Sequence, residues 1–445
     1  MRITNKLKIF SLVLGIEAVL FVSVPVYAAS PASSFGGNAG SSVLTLPDVL
    51  RLSEDYNPDL KAAKAQEIQA QQEVTIQQSF YYPTLNLEGQ SSAGFPGSNQ
   101  HGILNTGGLV NSPFADTPSG GLVSQLNILD LTIPFKVSSA RYYLEATKQH
   151  TEIIRYEVDW KALGYYFDSI RYLSDYLIWK DIYHRASVLQ HLVERLVKTG
   201  QHNLADQYLI EVQAGLALAE QKAYHARYVA SLKNLALFLG KKPEDVLVPS
   251  FRTFDAKSLK KIAPGAASAF ILKAVADAES AHSLVNANKA QNYPTIVGLG
   301  SIGSMNATKG GIPLNDTSVG VGLNLPVFEG FKIQSGVKKA QGFETERQEQ
   351  IKGLKLYVDE DNARYDESIA YDQARINTLK PLAKTTESAF SEARKRYLNY
   401  IGPLVDLRDA IQYLAQVQGE LNDSQTSLWF NAASKAVLNG GKIAR

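Results

Sequence analysis

Asp406 and Asp409 lie three residues apart in a stretch of helical periodicity, so both carboxylates fall on one helix face. Carboxylates gathered on one face attract cations. Spacing alone favours a pair of solvated acids near a helix N-terminus, where the macrodipole stabilises negative charge. His184 and His191 lie seven apart on one helix face. Two imidazoles without a third ligand at short spacing do not make a metal site, and surface or seam positions account for them. The chain has no cysteine, which excludes disulfides, thiolate metal sites, a Cys nucleophile and a lipidated N-terminal Cys. No Gly-rich phosphate loop follows a strand, and no Ser/His/Asp order stands out. The reading therefore assigns no catalytic residue, no metal and no cofactor. Over 445 residues, 45 basic side chains balance 43 acidic ones, which leaves no electrostatic footprint for nucleic acid. Scaffolds, channels and binding proteins remain.

The elements that carry these residues can be read in turn. Arg2, Lys6 and Lys8 precede an apolar run over residues 9–24, with Val26-Tyr27-Ala28 behind it. That order predicts a signal peptide over residues 1–28, cleaved after Ala28. Residues 29–42 are rich in Ser, Gly, Ala and Pro and read as a flexible leader. No later run is apolar for the ~18 residues a transmembrane helix needs, so a closed β-barrel is the other way to cross a membrane.

Between Pro134 and Pro243 only four glycines occur: Gly164, Gly200, Gly215 and Gly240. Residues 137–199 predict one helix about 95 Å long, with a break at Gly200-Gln201-His202-Asn203. A rod of that length needs helices lying beside it. Leu209, Val212, Leu216, Ala219, Ala223, Ala226 and Ala230 form a heptad seam. Leu404, Leu407, Ile411 and Leu414 form another, continued by Leu421 and Leu428.

The chain then repeats itself. Tyr82-Pro83-Thr84-Leu85 recurs as Tyr293-Pro294-Thr295-Ile296, and Leu204 and Asp206 recur 200 residues on as Leu404 and Asp406. The expected organisation is a first repeat over 43–240, a linker over 241–264, a second repeat over 265–440 and a tail over 441–445. Strands are predicted over 84–90 and 122–133 in the first repeat, and over 295–302 and 317–325 in the second. Polar loops over 91–121 and 303–316 join them. Val319, Val321, Leu323 and Leu325 alternate with Ser318, Gly320, Gly322 and Asn324, the pattern of a strand with lipid on one side. Tyr81, Tyr82, Phe135, Tyr293, Phe328 and Phe331 cluster at the helix-proximal strand ends, where an aromatic girdle would sit. Four strands cannot close a barrel, since the smallest have about eight. If these strands span a membrane, several chains must share one cylinder. The fold class is thus mainly α with a small transmembrane β part, built as a two-fold repeat of coiled-coil hairpins, each with a two-stranded insertion.

In order and in duplication these motifs resemble the outer-membrane factors, the TolC-like exit ducts. The segment from Leu44-Thr45-Leu46-Pro47 through Asn57-Pro58-Asp59-Leu60 is similar to that family's first helix. Leu325-Pro326-Val327-Phe328-Glu329-Gly330 is similar to its exit from the last strand. Arg396-Tyr397 with Leu404-Val405-Asp406-Leu407-Arg408-Asp409 is similar to its second hairpin tip. The resemblance covers roughly residues 43–440. It implies a homotrimer with a twelve-stranded barrel in the outer membrane and an α-helical barrel in the periplasm. It further implies a passive duct for a tripartite efflux or type I secretion system, served by a periplasmic adaptor and an inner-membrane pump of the RND, ABC or MFS type. By the same resemblance Asp406 and Asp409 line a periplasmic gate, Tyr397 braces it, and Asp206 is the repeat-related acid. Gly402 stands where some members carry a latching Arg. The competing function is a soluble periplasmic coiled-coil adaptor or structural protein. Adaptors carry one helical hairpin, however, and this chain predicts two.

Overall fold

The structure, a computed structural model, describes residues 43–94, 115–263, 267–306 and 313–443. The expected signal peptide, leader and loop centres lie outside the described residues. The chain opens with α1 (Leu46–Tyr56) and α2 (Pro58–Ser79). Asn57 separates them, its side chain accepting the backbone N–H groups of Asp59 and Leu60 and so capping α2. Strands β1 (Thr84–Gly94) and β2 (Ala115–Leu129) follow, then α3 (Thr132–Lys198) and α4 (Leu204–Phe238). Two 3-10 turns and the short β3 (Ile262–Ala263) lead to α5 (Ala269–Ala290), β4 (Thr295–Asn306) and β5 (Pro313–Asn324). The chain ends with α6 (Lys332–Leu398), α7 (Leu404–Leu438) and β6 (Lys442–Ile443).

Helices α3 and α6 each have 67 residues, so each is about 100 Å long. Helices α4 and α7 each have 35 residues. The helix expected over 137–199 starts five residues earlier, and the strand expected over 122–133 ends at Leu129. Pro134 did not separate them, because it sits in the first helical turn, where its missing N–H costs nothing. The strands also reach further than read. Gly, Ser and Thr residues that resembled loop extend β1 to Gly94 and β4 to Asn306, and β2 and β5 begin at Ala115 and Pro313. Leu325 lies just past β5. Residues 442–443, read as tail, pair with the linker as β6 against β3.

The four long strands form one antiparallel sheet in the order β1-β2-β4-β5. Its register settles the two faces. Leu87 pairs with Leu122 and Leu122 with Ile302; Ser124 joins Leu85 to Gly300, and Gly300 pairs with Val319. Leu85, Leu87, Leu122, Ile302, Val319, Val321 and Leu323 therefore share one face, and Val319 on it is 88% exposed. Thr84, Asn86, Gln125, Ser301, Ser318, Gly320 and Asn324 share the other, with Val123, Val297 and Leu299 as apolar exceptions. Gly121 is required where β2 meets β4, because a Cβ there would lie 2.6 Å from the Ile302 carbonyl oxygen.

The helices form an open array. Towards the hairpin turns, α4 lies beside α3, α3 beside α7 and α7 beside α6; towards the sheet, α2 and α5 flank α3 and α5 touches α6. The seam read on α7 is buried: Leu404, Leu407, Ile411 and Leu414 pack against Ile178, Ile182, Leu189 and Val193 of α3. The seam read on α4 is not the packed one. Leu209, Val212 and Leu216 are exposed, as are Ala219, Ala223, Ala226 and Ala230. Helix α4 instead buries Ile210, Ala214, Ala217, Leu232 and Leu235 against its own chain. It carries two apolar stripes, and the more regular one faces away from the rest of the chain. No helix among the described residues is long and apolar enough to cross a membrane.

Candidate functional site at the hairpin tips

Both helical hairpins turn in the same way. Gly200 adopts a left-handed conformation at φ 72° after α3, and Gln201 N–H bonds back to the Leu196 carbonyl at 2.8 Å. After α6 the left-handed residue is Tyr400, at φ 58°, and Ile401 N–H bonds to the Arg396 carbonyl at 2.9 Å. A tyrosine in this conformation costs roughly 1 kcal/mol relative to glycine. Its side chain offsets that cost, because the Tyr400 hydroxyl donates to Gln201 Oε1 at 2.7 Å and its ring stacks on His202 at 5.1 Å.

The two tips meet at Asp206. Asp206 sits in the first turn of α4, capped by Asn203, whose Oδ1 accepts the Asp206 N–H at 2.8 Å. The Tyr397 hydroxyl donates to Asp206 Oδ2 at 3.4 Å, and His202 Nδ1 lies 3.3 Å from the same oxygen. The His202 ring is 4.7 Å from that of Tyr397. Tyr397 is almost fully buried, and burial followed by the nearby Asp206 carboxylate holds its hydroxyl above the usual tyrosine pKa. Of the residues expected here, Tyr397 and Asp206 are thus brought together. Gln201, His202 and Tyr400 join them and were not singled out from the sequence.

Asp406 and Asp409 occupy the start of α7, apart from that cluster. Asp406 is exposed, and Asp409 Oδ1 accepts Arg408 Nε and Nη2 at 3.0 and 2.8 Å. Gly402 lies against Arg396, whose Cβ would be 3.3 Å from an added Cβ. His184 and His191 are exposed and are not brought together, and no group among the described residues could hold a metal ion. Tyr81, Tyr82, Phe135, Tyr293, Phe328 and Phe331 are all exposed between helix ends and strand ends, with the Phe328 and Phe331 rings edge to face at 5.5 Å.

One buried charge cluster lies outside the tips. Arg155 Nη1 donates to Asp159 Oδ2 at 3.0 Å, and its Nε donates to Glu152 at 2.9 Å. Glu54 of α1 stands 3.7 Å from the same guanidinium. Burial, and then the Glu54 charge, pushes the Asp159 carboxyl well above its ordinary value.

Comparison with known proteins gives consistent results. Residues 266–433 match the family described as outer membrane efflux protein. The outer membrane protein VceC of Vibrio cholerae superposes with a TM-score of 0.74 at 18% identity, covering 90% of this chain and 97% of that one. CusC, described as forming a transmembrane channel, superposes at 0.75 with 15% identity over 94% and 99% of the two chains. The CmeC outer membrane channel of Campylobacter jejuni gives 0.72 at 15% identity over 95% of each. No curated protein matches the sequence. The second long hairpin is thus similar to the outer membrane efflux proteins, and nine-tenths of the chain has the fold of the outer membrane protein VceC.

Proposed function

We propose that three copies stand side by side and close into one duct, a twelve-stranded barrel in the outer membrane continued by a tunnel of helices in the periplasm. The observation that carries this reading is that the sheet and the helix array are open along the same two sides. Strands β1 and β5 are both edge strands. On the β1 side the helices end at α2 and α4, and on the β5 side at α6. Unpaired strand edges in lipid cost several kcal/mol for each orphaned group, and a β1 edge meeting a β5 edge of the next copy removes them. The exposed α4 stripe suits the same neighbour, as do Leu356 and Tyr371, exposed on α6.

The apolar sheet face would meet lipid and the small polar face would line the lumen. A strand of 12 residues spans about 40 Å, or about 28 Å when tilted by 45°, close to the bilayer core. The six exposed aromatics would mark the interface nearer the helices. The matching length and order of the elements in the two halves supports gene duplication as the origin of the paired hairpins. At the far end, three copies would bring six carboxylates from Asp406 and Asp409 to one ring, with the Tyr397–Asp206 bond holding each pair of tips together. Conduction through such a duct is passive. A periplasmic adaptor and an inner-membrane pump would supply the energy and the cargo, for efflux or type I secretion.

The test is a planar-bilayer recording of the detergent-purified protein. A heat-sensitive trimer should conduct, and Asp406→Asn with Asp409→Asn should change single-channel conductance and weaken block by multivalent cations. Unchanged conductance and block in the double variant removes the gate assignment. A folded, water-soluble monomer obtained without detergent removes the duct.

A further inference from the structure

The contact between α3 and α7 is built in two apolar parts. One holds Leu163, Tyr166, Phe167 and Ile170 against Ala433 and Val437. The other holds Ile178, Ile182, Leu189 and Val193 against Leu404, Leu407, Ile411 and Leu414. Between them the seam turns polar, and Asp175 of α3 faces Asn422 of α7 there. The two side chains are 5% and 0% exposed. Asn422 Nδ2 donates to Asp175 Oδ1 at 2.7 Å and to the Arg171 carbonyl at 3.1 Å, so both amide hydrogens are used. Asn422 Oδ1 is buried with no donor. An orphaned acceptor of this kind costs about 1–3 kcal/mol, and the Asp175 carboxyl, already bound to the same amide, has a hydrogen to offer it only when protonated.

We propose that Asp175 and Asn422 form a proton-operated lock between α3 and α7. In the locked state the neutral acid donates its O–H to Asn422 Oδ1 while Asn422 Nδ2 donates to Asp175 Oδ1. Release of that proton to water breaks the first bond and leaves a carboxylate in the seam. The inference goes beyond the duct reading and does not depend on conduction.

The surroundings favour the neutral acid. On α3, Arg171 is bound to Asp423 of α7 at 2.7 Å, so its charge is largely answered elsewhere. Arg227 and Tyr224 of α4 face the same region. Burial is the largest influence on Asp175 and Asp423 adds to it; the Asn422 hydrogen bond, Arg171 and Arg227 oppose them, and the carboxyl is pushed up to about 7. Since the fold binds this proton more tightly than the unfolded chain does, the contribution is complete below the ordinary value of 3.8. It is lost as pH rises from there to about 7, where the native carboxyl itself ionises.

The position gives the lock leverage. Asp175 lies 23 residues from the end of α3, about 35 Å from the tips. At the same level Ser174 Oγ accepts the Phe251 N–H at 2.9 Å, and Phe251 packs against both apolar clusters. The linker thus straps α3 at the level where α7 is held by the Asp175–Asn422 contact beside the Arg171–Asp423 ion pair.

Two measurements on the full chain in detergent test the proposal. Difference infrared spectra across pH 5 to 9 should show a carboxylic-acid C=O band that titrates within about one unit of pH 7 and is absent in Asp175→Asn. Amide hydrogen exchange over residues 404–421, corrected for intrinsic rates, should accelerate in the wild type as pH rises towards that midpoint and level off above it. It should stay slow at every pH in Asp175→Asn, whose amide can donate to Asn422 Oδ1, and fast at every pH in Asn422→Ala. Loss of the band below pH 5, wild-type pH response in either variant, or failure of Asp175→Asn to fold would each overturn the lock. Failed conduction with an intact titration would count against the duct alone.

Discussion

Arg155 shows how much one buried side chain holds in this structure. It answers Asp159, Glu152 and, at longer range, Glu54 of another helix. Arg155→Ala leaves the Asp159 carboxyl buried without its cation, and breaking such a pair costs about 3–5 kcal/mol. A denaturant titration should show that loss, and Asp159→Asn in the same background should restore part of it. At the tips the expected effects are small in stability and larger in opening. Tyr397→Phe removes one hydroxyl bond to Asp206, about 1 kcal/mol. It should raise open probability in bilayers while leaving helix content unchanged. Tyr400→Gly should relieve the left-handed backbone and yet loosen the tips, because the bond to Gln201 and the stack on His202 leave with the ring. Tyr397 was singled out in the sequence by the resemblance of its tip motif and Asp206 by the 200-residue repeat, but neither told that the two side chains meet. His202 was not, because its environment is made of two tips that only folding brings together. Tyr400 left one trace, since it stands 200 residues after Gly200, where the turn demands positive φ.

At the scale of elements, periodicity revealed that α4 and α7 each carry a seam, but it did not say which neighbour each seam meets. The α7 seam is satisfied within the chain and the α4 seam is not. A heptad stripe has the same spacing in both cases, so the sequence alone cannot tell an inner contact from an outer one. Val212→Asp with Leu216→Asp should therefore leave circular dichroism of the detergent-solubilised chain unchanged and abolish the trimer measured by light scattering. A surviving trimer would mean that the stripe faces something else. Strand limits were misread for a related reason. Glycine and serine usually mark loops, yet here they sit within paired strands, and Gly121 is fixed by the Ile302 carbonyl beside it. Gly121→Ala should cost assembly of the sheet, seen as loss of the trimer in detergent, whereas Gly89, with open space around its Cα, should accept alanine.

For the whole molecule, the decisive feature is a pair of unlike open sides. The chain has no cysteine, so engineered pairs can be read without background. A cysteine at Leu87 combined in turn with one at each residue of 317–321 should yield disulfide-linked copies for at least one spacing, if β1 and β5 meet between neighbours. The side formed by α2, α4 and β1 differs in sequence from the one formed by α6 and β5, so two chains cannot satisfy each other by a two-fold axis. Each addition leaves one new unlike pair at the ends of the row. Such a chain of contacts has no stop of its own. The number of members is decided solely by the angle each copy turns through, and residues that set that angle would govern pore width without ever touching what passes through it.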